Sequence, residues 1–224
     1  MGFTELSAQV LNDKQKSIVA VSALTAKGKL DGLKHVLNNG LDAGLTINEI
    51  KEILIQLAAY CGFPRSLNAI NTFSTVASER KAKGISDPIG TEPTSMSSTG
   101  DKYETGKKNL ERLTGRPEIG PKTGYAAFVP VIDTFLKEHL FADIFSRGVL
   151  TDQERELTTI SALASLGDVE SQLQGHLSIS MRLGFTEPQI RQMLLIIETT
   201  IGKKEAAAGR EVLSKMVAAR TQTH

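Results

Sequence analysis

The sequence predicts an all-α fold built from two tandem pseudo-repeats. Apolar residues recur at helical spacing, and no segment shows the alternation of Val, Ile and Thr that is typical of a β-strand. The chain also repeats itself, because SIVAVSALTAKG, from Ser17, resembles ELTTISALASLG, from Glu156, at an offset of 139 residues. At an offset of 140, four residues of the first half recur in the second: Gly44, Thr46, Ile50 and Gly62 match Gly184, Thr186, Ile190 and Gly202. This shared register indicates a duplicated unit.

The repeats set the expected domain organisation. We predict a first repeat at 1–84, a linker at 85–124 and a second repeat at 125–224. The stretch KGISDPIGTEPTSMSSTGDKYETG between the repeats is rich in Ser, Thr, Gly and Pro, a composition typical of a linker or surface loop. Within it, KKNLERLTGRP predicts one short helix that ends before Gly115 and Pro117.

Each element of the first repeat has its own signal. Helical spacing without an internal Gly or Pro predicts a first helix at 13–26. A second helix at 30–43 runs up to Gly44, a typical C-terminal cap. The capping box TINE at 46–49 begins a third helix, and GFP at 62–64 ends it and supplies a proline that opens the next one.

The second repeat follows the same scheme. TDQE at 151–154 and TEPQ at 186–189 are capping boxes of the same type. Most of the turns between the helices are short, which favours antiparallel or sharply crossing neighbours. The same helical plan therefore describes both halves of the chain.

Composition argues against several classes of function. The net charge is +1 with both signs mixed along the chain, so nucleic acid is not an expected partner. No run of about eighteen apolar residues occurs, so we expect no membrane span. Cys61 is the only cysteine, which excludes a disulfide within the chain and a Cys-x-x-Cys pair.

The termini and the histidines give further expectations. MGFTELSAQV lacks the positive start and apolar run of a signal peptide, so we expect a cytoplasmic protein, and a leader removed in cloning stays open. The four histidines include no pair at i and i+4, and no Gly-rich phosphate loop occurs. We therefore predict neither a metal site nor an organic cofactor.

Three stretches carry a family resemblance: ERELTTISALASLG, ESQLQGHLSISMRLGFTEPQI and LTINEIKEILIQLAAYCGFPRSLNAI. With them, each half resembles the carboxymuconolactone decarboxylase family, which also includes the alkylhydroperoxidase-D-like proteins. The resemblance implies a helical bundle of the alkylhydroperoxidase-D type, association into trimers, hexamers or larger rings, and active sites between packed helices. It also implies decarboxylases that need no metal or organic cofactor.

The peroxidase branch of the family uses a Cys-x-x-Cys pair followed four residues later by a histidine. In this sequence the two cysteine positions are occupied by Val169 and Gln172. Since neither side chain can form a thiolate, the resemblance argues against a dithiol alkylhydroperoxidase.

In the second repeat the resemblance implies a catalytic site. His176 takes the position of the catalytic histidine, and Glu156 lies near the family's upstream glutamate. Gln172 is four residues before His176, on the same helix face, and is expected to position the imidazole. Glu170 is a candidate for substrate binding, although a residue six positions before His176 points elsewhere unless the helix bulges. The alternative for His176 is a partly buried histidine that bonds to a backbone carbonyl, and for Glu156 a first-turn carboxylate favoured by the helix dipole. For Glu170 and Gln172 it is a solvated helix face.

The first repeat has lost this set. Val36 stands at the position that aligns with the catalytic histidine, and the neighbouring His35 is expected to be exposed. The first repeat instead keeps Tyr60 and Arg65 as candidates for substrate binding. Arg65 is either close enough to a helix N-terminus to bind a substrate carboxylate there or an ordinary surface arginine. Cys61 is either a small buried apolar residue or a reactive thiol. We therefore expect the two repeats to contribute complementary residues to one site.

Three functions stay open from the sequence. The first is cofactor-free decarboxylation of a carboxylated lactone or a related small acid. The second is a peroxiredoxin-like antioxidant activity that depends on Cys61. The third is a non-catalytic, oligomeric scaffold that binds a small molecule. In each case the resemblance implies a homo-oligomer, with a trimer of tandem chains or a larger ring as the expected form.

Overall fold

The computed structural model describes residues 10–94 and 100–221. Within these two ranges the ordered elements are helices, and no residue forms a β-strand. No helix in them combines the length and apolar character that crossing a membrane requires. The prediction of an all-α fold is confirmed.

The first repeat forms four helices, α1 to α4: Asp13–Lys27, Leu30–Asp42, Ile47–Cys61 and Phe63–Ala82. The capping box that begins α3 is present, because the Thr46 hydroxyl accepts from the Glu49 backbone N–H and the Glu49 carboxylate accepts from that of Thr46. Gly62, with φ of +84°, separates α3 from α4. Local sequence signals therefore fix these helix boundaries.

The connection between the repeats is more ordered than its composition suggests. It contains α5 (Lys102–Thr114), which ends at a left-handed Gly115. Two short helices follow at the start of the predicted second repeat, α6 (Gly124–Phe128) and α7 (Pro130–Phe135). From α7 the chain runs directly into a π-helical segment, Leu136–Ile144, and a 3₁₀ turn, Phe145–Arg147. The π-helical geometry of this segment was not predicted.

The second repeat forms α8 to α11: Asp152–Leu166, Glu170–Arg182, Glu187–Thr200 and Lys203–Thr221. Both predicted capping boxes are formed, with Thr151 and Glu154 beginning α8 and Thr186 and Gln189 beginning α10. The order and the signals of the helices match those of the first repeat.

The two repeats interlock around one hydrophobic core. Helices α1 and α8, the first of each repeat, pack on each other. In addition, α3 packs on α8 and α10 packs on α1, so the third helix of each repeat contacts the first helix of the other. Buried apolar residues of both repeats form a single cluster. These contacts bring side chains of α3 and α8 together across the repeat boundary.

A second, smaller apolar cluster lies where α5 and the π-helical segment meet α9. Its buried members are Leu113, Leu140, Phe141, Ile144, Phe145 and Ile179. Tyr60 of α3 packs against this cluster and also against the main core. Tyr60 therefore lies at the junction of the two apolar regions.

The contact between α5 and the π-helical segment depends on the glycine in α5. A Cβ atom on Gly106 would lie 2.0 Å from the backbone oxygen of Lys137, which is far inside van der Waals contact. We expect Gly106→Ala to lower the free energy of unfolding by about 1–3 kcal/mol, because the two segments must separate to admit a methyl group. Urea unfolding followed by circular dichroism measures the loss.

A second glycine provides the matched control. Gly175 lies inside α9, and a Cβ atom there would meet no described atom within 4 Å. Gly175→Ala is expected to leave stability unchanged or to raise it by about 0.4–1 kcal/mol, since it only restricts the unfolded chain. Equal stability of the two variants would contradict the close approach at Gly106.

Candidate active site

A histidine and a glutamate of the second repeat form a hydrogen-bonded pair between α8 and α9. His176 Nδ1 lies 2.9 Å from Oε2 and 3.2 Å from Oε1 of Glu156. The Glu156 side chain is fully buried, whereas 14% of the His176 side chain is exposed. Because the carboxylate accepts, Nδ1 is the donor of this pair, and Nε2 lies on the opposite side of the ring from the carboxylate. The geometry is that of an imidazole oriented by a carboxylate.

The burial of α8 explains why this glutamate needs a partner. Every residue from Arg155 to Ser165 is buried, and α8 is surrounded by α1, α3, α9, α10 and α11. Many residues of this stretch are Ser, Thr or Ala, whose small side chains let neighbouring helices approach closely. A carboxylate on such a helix is stable only if a donor meets it inside the protein, and His176 is that donor.

A tyrosine from the first repeat packs against the histidine. The rings of Tyr60 and His176 meet edge to face, with centroids 5.9 Å apart and planes at 78°. Burial raises the pKa of Tyr60 and the negative charge of Glu156 adds to the effect, while Thr159 and the charge of Arg155 act in the opposite direction. The hydroxyl is buried and makes no well-formed hydrogen bond to the described residues. Tyr60 is therefore a protonated donor beside the histidine.

Two more polar residues of α3 continue from Tyr60 along one face of the helix. Glu52, Gln56 and Tyr60 are spaced four residues apart and face α8. Gln56 Nε2 donates to the backbone oxygen of Arg155 at 2.8 Å and to Thr159 Oγ1 at 2.9 Å. Gln56 Oε1 accepts from Arg155 Nη1 at 3.0 Å. Gln56 thus joins the two repeats with all its hydrogen bonds inside the protein.

Arg155 is the largest fully buried side chain of the site. Its guanidinium lies 5.2 Å from the ring centre of Phe145, and its Nη2 lies 3.8 Å from Glu52 Oε2. Glu52 itself accepts two hydrogen bonds from Arg147 Nε, at 2.8 and 2.9 Å. Burial lowers the pKa of Arg155 to about 10, although the charge of Glu52 acts in the opposite direction. The positive charge of Arg155 is therefore only partly compensated.

The family model that matches this chain is described as the carboxymuconolactone decarboxylase family, and it matches residues 1–74 and 130–215. The chain belongs to the carboxymuconolactone decarboxylase family. The two matched ranges fall in the two halves of the chain, in agreement with a tandem, two-repeat member of this family. Comparison with curated proteins gives no match.

Three of the predicted site residues are exposed in this decarboxylase-family protein. Gln172 accepts a hydrogen bond from the Ser171 hydroxyl, and the orienting role expected of it is taken by Glu156. Glu170 is the first residue of α9 and lines a surface groove towards α11. Arg65 lies in the first turn of α4. None of these side chains bonds to the pair of Glu156 and His176 in the described part of the chain.

Three residues of this site were not predicted from the sequence: Glu52, Gln56 and Arg155. A signal for the first two was present, because they are polar residues at a spacing of four in the otherwise apolar helix α3. Arg155 is adjacent to Glu156 within the matched stretch ERELTTISALASLG, but it reads as a surface residue of a first helical turn. His35 of the first repeat is exposed, and Val36 packs against the core.

The environment of Cys61 does not favour a thiolate. The thiol is partly buried and donates to the backbone oxygen of Leu57 at 3.1 Å. Burial raises the pKa of Cys61, and the nearby charge of Arg65 offsets this only in part. No group of His, Cys, Asp and Glu among the described residues is arranged to hold a metal ion. These features argue against a peroxidatic cysteine, whose thiol needs a lowered pKa.

The rate of alkylation measures the reactivity of the Cys61 thiol directly. We expect iodoacetamide at pH 7 to modify Cys61 about 10-fold more slowly than free cysteine, because a raised pKa leaves little thiolate. The same chain unfolded in guanidinium is the control and should react at the rate of the free amino acid. Rapid alkylation of the folded chain, together with peroxide consumption that Cys61→Ser abolishes, would restore the antioxidant hypothesis.

Proposed function

We propose that this protein is a cofactor-free lyase that decarboxylates a carboxylated unsaturated lactone, or a related small acid, in aromatic catabolism. Family membership supports the proposal, and the observation that carries it is the buried Glu156 carboxylate bonded to His176. A partly exposed imidazole oriented in this way can deliver or take up a proton. Tyr60 adds a neutral donor from the other repeat.

In the proposed reaction the bond between the substrate carbon and its carboxylate breaks, and CO₂ leaves. The electron pair of that bond passes through the ring double bond to the lactone carbonyl, which gives a dienolate. A donor near the developing negative charge lowers the barrier, and one such donor contributes about 3 kcal/mol in other enzymes. The Tyr60 hydroxyl, buried without a well-formed hydrogen bond, is the side chain best suited to this role.

The dienolate then needs a proton on carbon. We assign this step to the imidazolium of His176, which gives up the proton from Nε2 and recovers one from water. Glu156 stabilises the imidazolium and holds the ring through Nδ1. The net change exchanges a carboxylate and a proton for CO₂ and a C–H bond, so no oxidant or metal is required.

The test is turnover of 4-carboxymuconolactone by the purified chain after dialysis against EDTA. We expect CO₂ release, and in D₂O we expect one deuterium on the carbon next to the lactone carbonyl. Binding of the lactone without CO₂ release would favour the non-catalytic scaffold. Release of CO₂ that stops on removal of metal would contradict a cofactor-free mechanism.

Homo-oligomerisation also stays a proposal. Exposed apolar side chains on the short helices after the linker support it: Tyr125, Phe128, Val131, Ile132 and Phe135. Clusters of this kind on a protein surface often mark contacts with another chain.

A further inference from the structure

A surface cavity of about 340 Å³ lies beside the short helices α6 and α7. Its walls come mainly from the segment between Pro117 and Ala126, and the nearly buried side chains of Asp133 and Lys137 form its floor. None of the residues that line it belongs to the candidate active site. A cavity of about 150 Å³ already accommodates a benzene molecule, so this one has room for an aromatic side chain.

The charges around the cavity favour an apolar or aromatic occupant over an ion. Asp133 accepts from Lys137 at 2.8 Å and from Lys122 at 2.7 Å, so the floor carries charges that already compensate one another. An aromatic ring would therefore leave no charge unpaired. The Lys122 ammonium group lies 5.0 Å from the centre of the Tyr103 ring and is 41% exposed at the side-chain level, so it can also contact a second ring.

The same segment carries an aromatic side chain that its own chain leaves uncovered. Phe128, the last residue of α6, is 89% exposed. Six more large apolar side chains of this segment are exposed: Ile119, Tyr125, Val129, Val131, Ile132 and Phe135. Together they present roughly 900 Å² of apolar surface, taking about 200 Å² for each fully exposed side chain. This exceeds the apolar patches of typical monomers and reaches the area that one partner contributes to a stable dimer.

The protruding ring and the cavity lie on one short segment of the chain. When one face offers both a protrusion and a matching cavity, two copies can satisfy both at once about a two-fold axis. Most of this segment, 117–128, falls outside the ranges 1–74 and 130–215 that the family model matches. The face is therefore an addition of this chain to the fold that the two repeats share with the family.

We propose that two copies of this chain associate about a two-fold axis through α6 and α7, with Phe128 of each copy in the cavity of the other. This inference rests on the proposed homo-oligomerisation and specifies one of its contacts. A two-fold contact also restricts the number of chains, because the assembly must then contain an even number of them.

Sedimentation velocity at micromolar concentration tests the contact with two complementary variants. Phe128→Ala removes the ring and keeps the cavity, whereas Ala126→Phe keeps the ring and fills the cavity that Ala126 lines. We expect the wild-type mass to be an even multiple of the chain mass and each variant alone to have half the wild-type mass. The dissociation constant should rise about 1,000-fold in each, since each of the two buried rings contributes a factor of about 30.

A mixture of the two variants tests the pairing of ring and cavity. The Phe128→Ala chain still offers a cavity and the Ala126→Phe chain still offers a ring, so mixed pairs should form with a dissociation constant only about 30-fold above that of the wild type. A face that is merely apolar would not show this recovery. A mixture that stays at half the wild-type mass would overturn the assignment of the cavity.

Leu195→Ala and Ala207→Phe are the matched controls, because both residues are exposed on other helices, α10 and α11. Both should keep the wild-type mass. Circular dichroism checks the folding of each variant, and if Ala126→Phe does not fold, the mass of Phe128→Ala decides.

The outcomes separate this contact from homo-oligomerisation in general. A monomeric wild type would overturn both. An oligomer with an odd number of chains, or one whose mass Phe128→Ala leaves unchanged, would overturn the two-fold contact alone.

Discussion

Replacing His176 with asparagine is expected to lower the turnover number for 4-carboxymuconolactone by about 10²–10⁴-fold, the range found when a general acid or base is lost. Asparagine retains a polar side chain in the space beside Glu156 but cannot transfer a proton at carbon. Because the imidazole is partly exposed and the asparagine amide can still donate an N–H to the Glu156 carboxylate, the change should leave the fold intact. Steady-state CO₂ release, with thermal unfolding as the check on folding, measures the effect.

Two companion variants define the role of the pair. Glu156→Gln should lower turnover about 10-fold, since the hydrogen bond to Nδ1 remains while the charge that stabilises the imidazolium is lost. His35→Asn, in the corresponding helix of the first repeat, changes an exposed side chain and should have no effect. Full turnover by His176→Asn would remove the proposed mechanism.

Asp133→Asn should cause the largest loss of stability. Only 1% of the Lys137 side chain is exposed. The Asp133 carboxylate accepts hydrogen bonds from the Lys137 ammonium group at 2.8 Å, from the Tyr103 hydroxyl at 2.8 Å and from the Lys122 ammonium group at 2.7 Å. The variant leaves a buried cation with Glu118 as its remaining carboxylate partner. We expect the free energy of unfolding at pH 7 to fall by about 2–4 kcal/mol, somewhat less than for a buried charge left without any partner.

The pH dependence provides a second measure of the same bonds. Burial alone would raise the pKa of Asp133, but hydrogen bonds from Lys122, Lys137 and Tyr103 lower it to about 2. With a native pKa below the ordinary value of 3.8, the stabilisation is complete above about pH 4 and is lost as the pH falls towards 2. In urea unfolding, the difference in free energy of unfolding between wild type and Asp133→Asn should therefore shrink as the pH falls from about 4 towards 2.

A partly exposed aspartate provides the control, since 20% of the Asp143 side chain is exposed. Asp143 pairs with Lys102 at 2.9 Å, and 41% of the Lys102 side chain is exposed. Asp143→Asn should lower the free energy of unfolding by less than about 1 kcal/mol, as is usual for ion pairs near the surface. If Asp133→Asn costs no more than Asp143→Asn, the group around Lys137 contributes little to stability.

The boundaries of the helices were accessible from the sequence because they depend on local chemistry. The capping boxes at Thr46, Thr151 and Thr186 each connect residues three positions apart, so the same bonds form wherever the helix lies. The repeat was also visible, since matching residues hold their register along the chain. The capping box at Asn12 and Gln15 follows the same chemistry and could have been predicted in the same way.

The residues of the candidate site could be predicted from the sequence only in part. His176 and Glu156 came from the family resemblance, and the structure places them in contact. Gln172 shares a helix with His176, yet it is exposed, because a spacing of four residues does not decide which side chain turns towards the neighbouring helix. Arg65 likewise has the right chemistry for a carboxylate, but it lies on the surface.

The sequence by itself determined the helices that the two repeats share, their caps, the duplication and the family. Only the tertiary structure decided that α3 of one repeat packs on α8 of the other, and with this that Tyr60 and Gln56 meet residues of the second repeat. Burial is likewise a property of the assembled fold. Arg155 reads as a surface arginine until five helices surround α8, and in that enclosure its Nε and Nη2 make no hydrogen bond to a described residue.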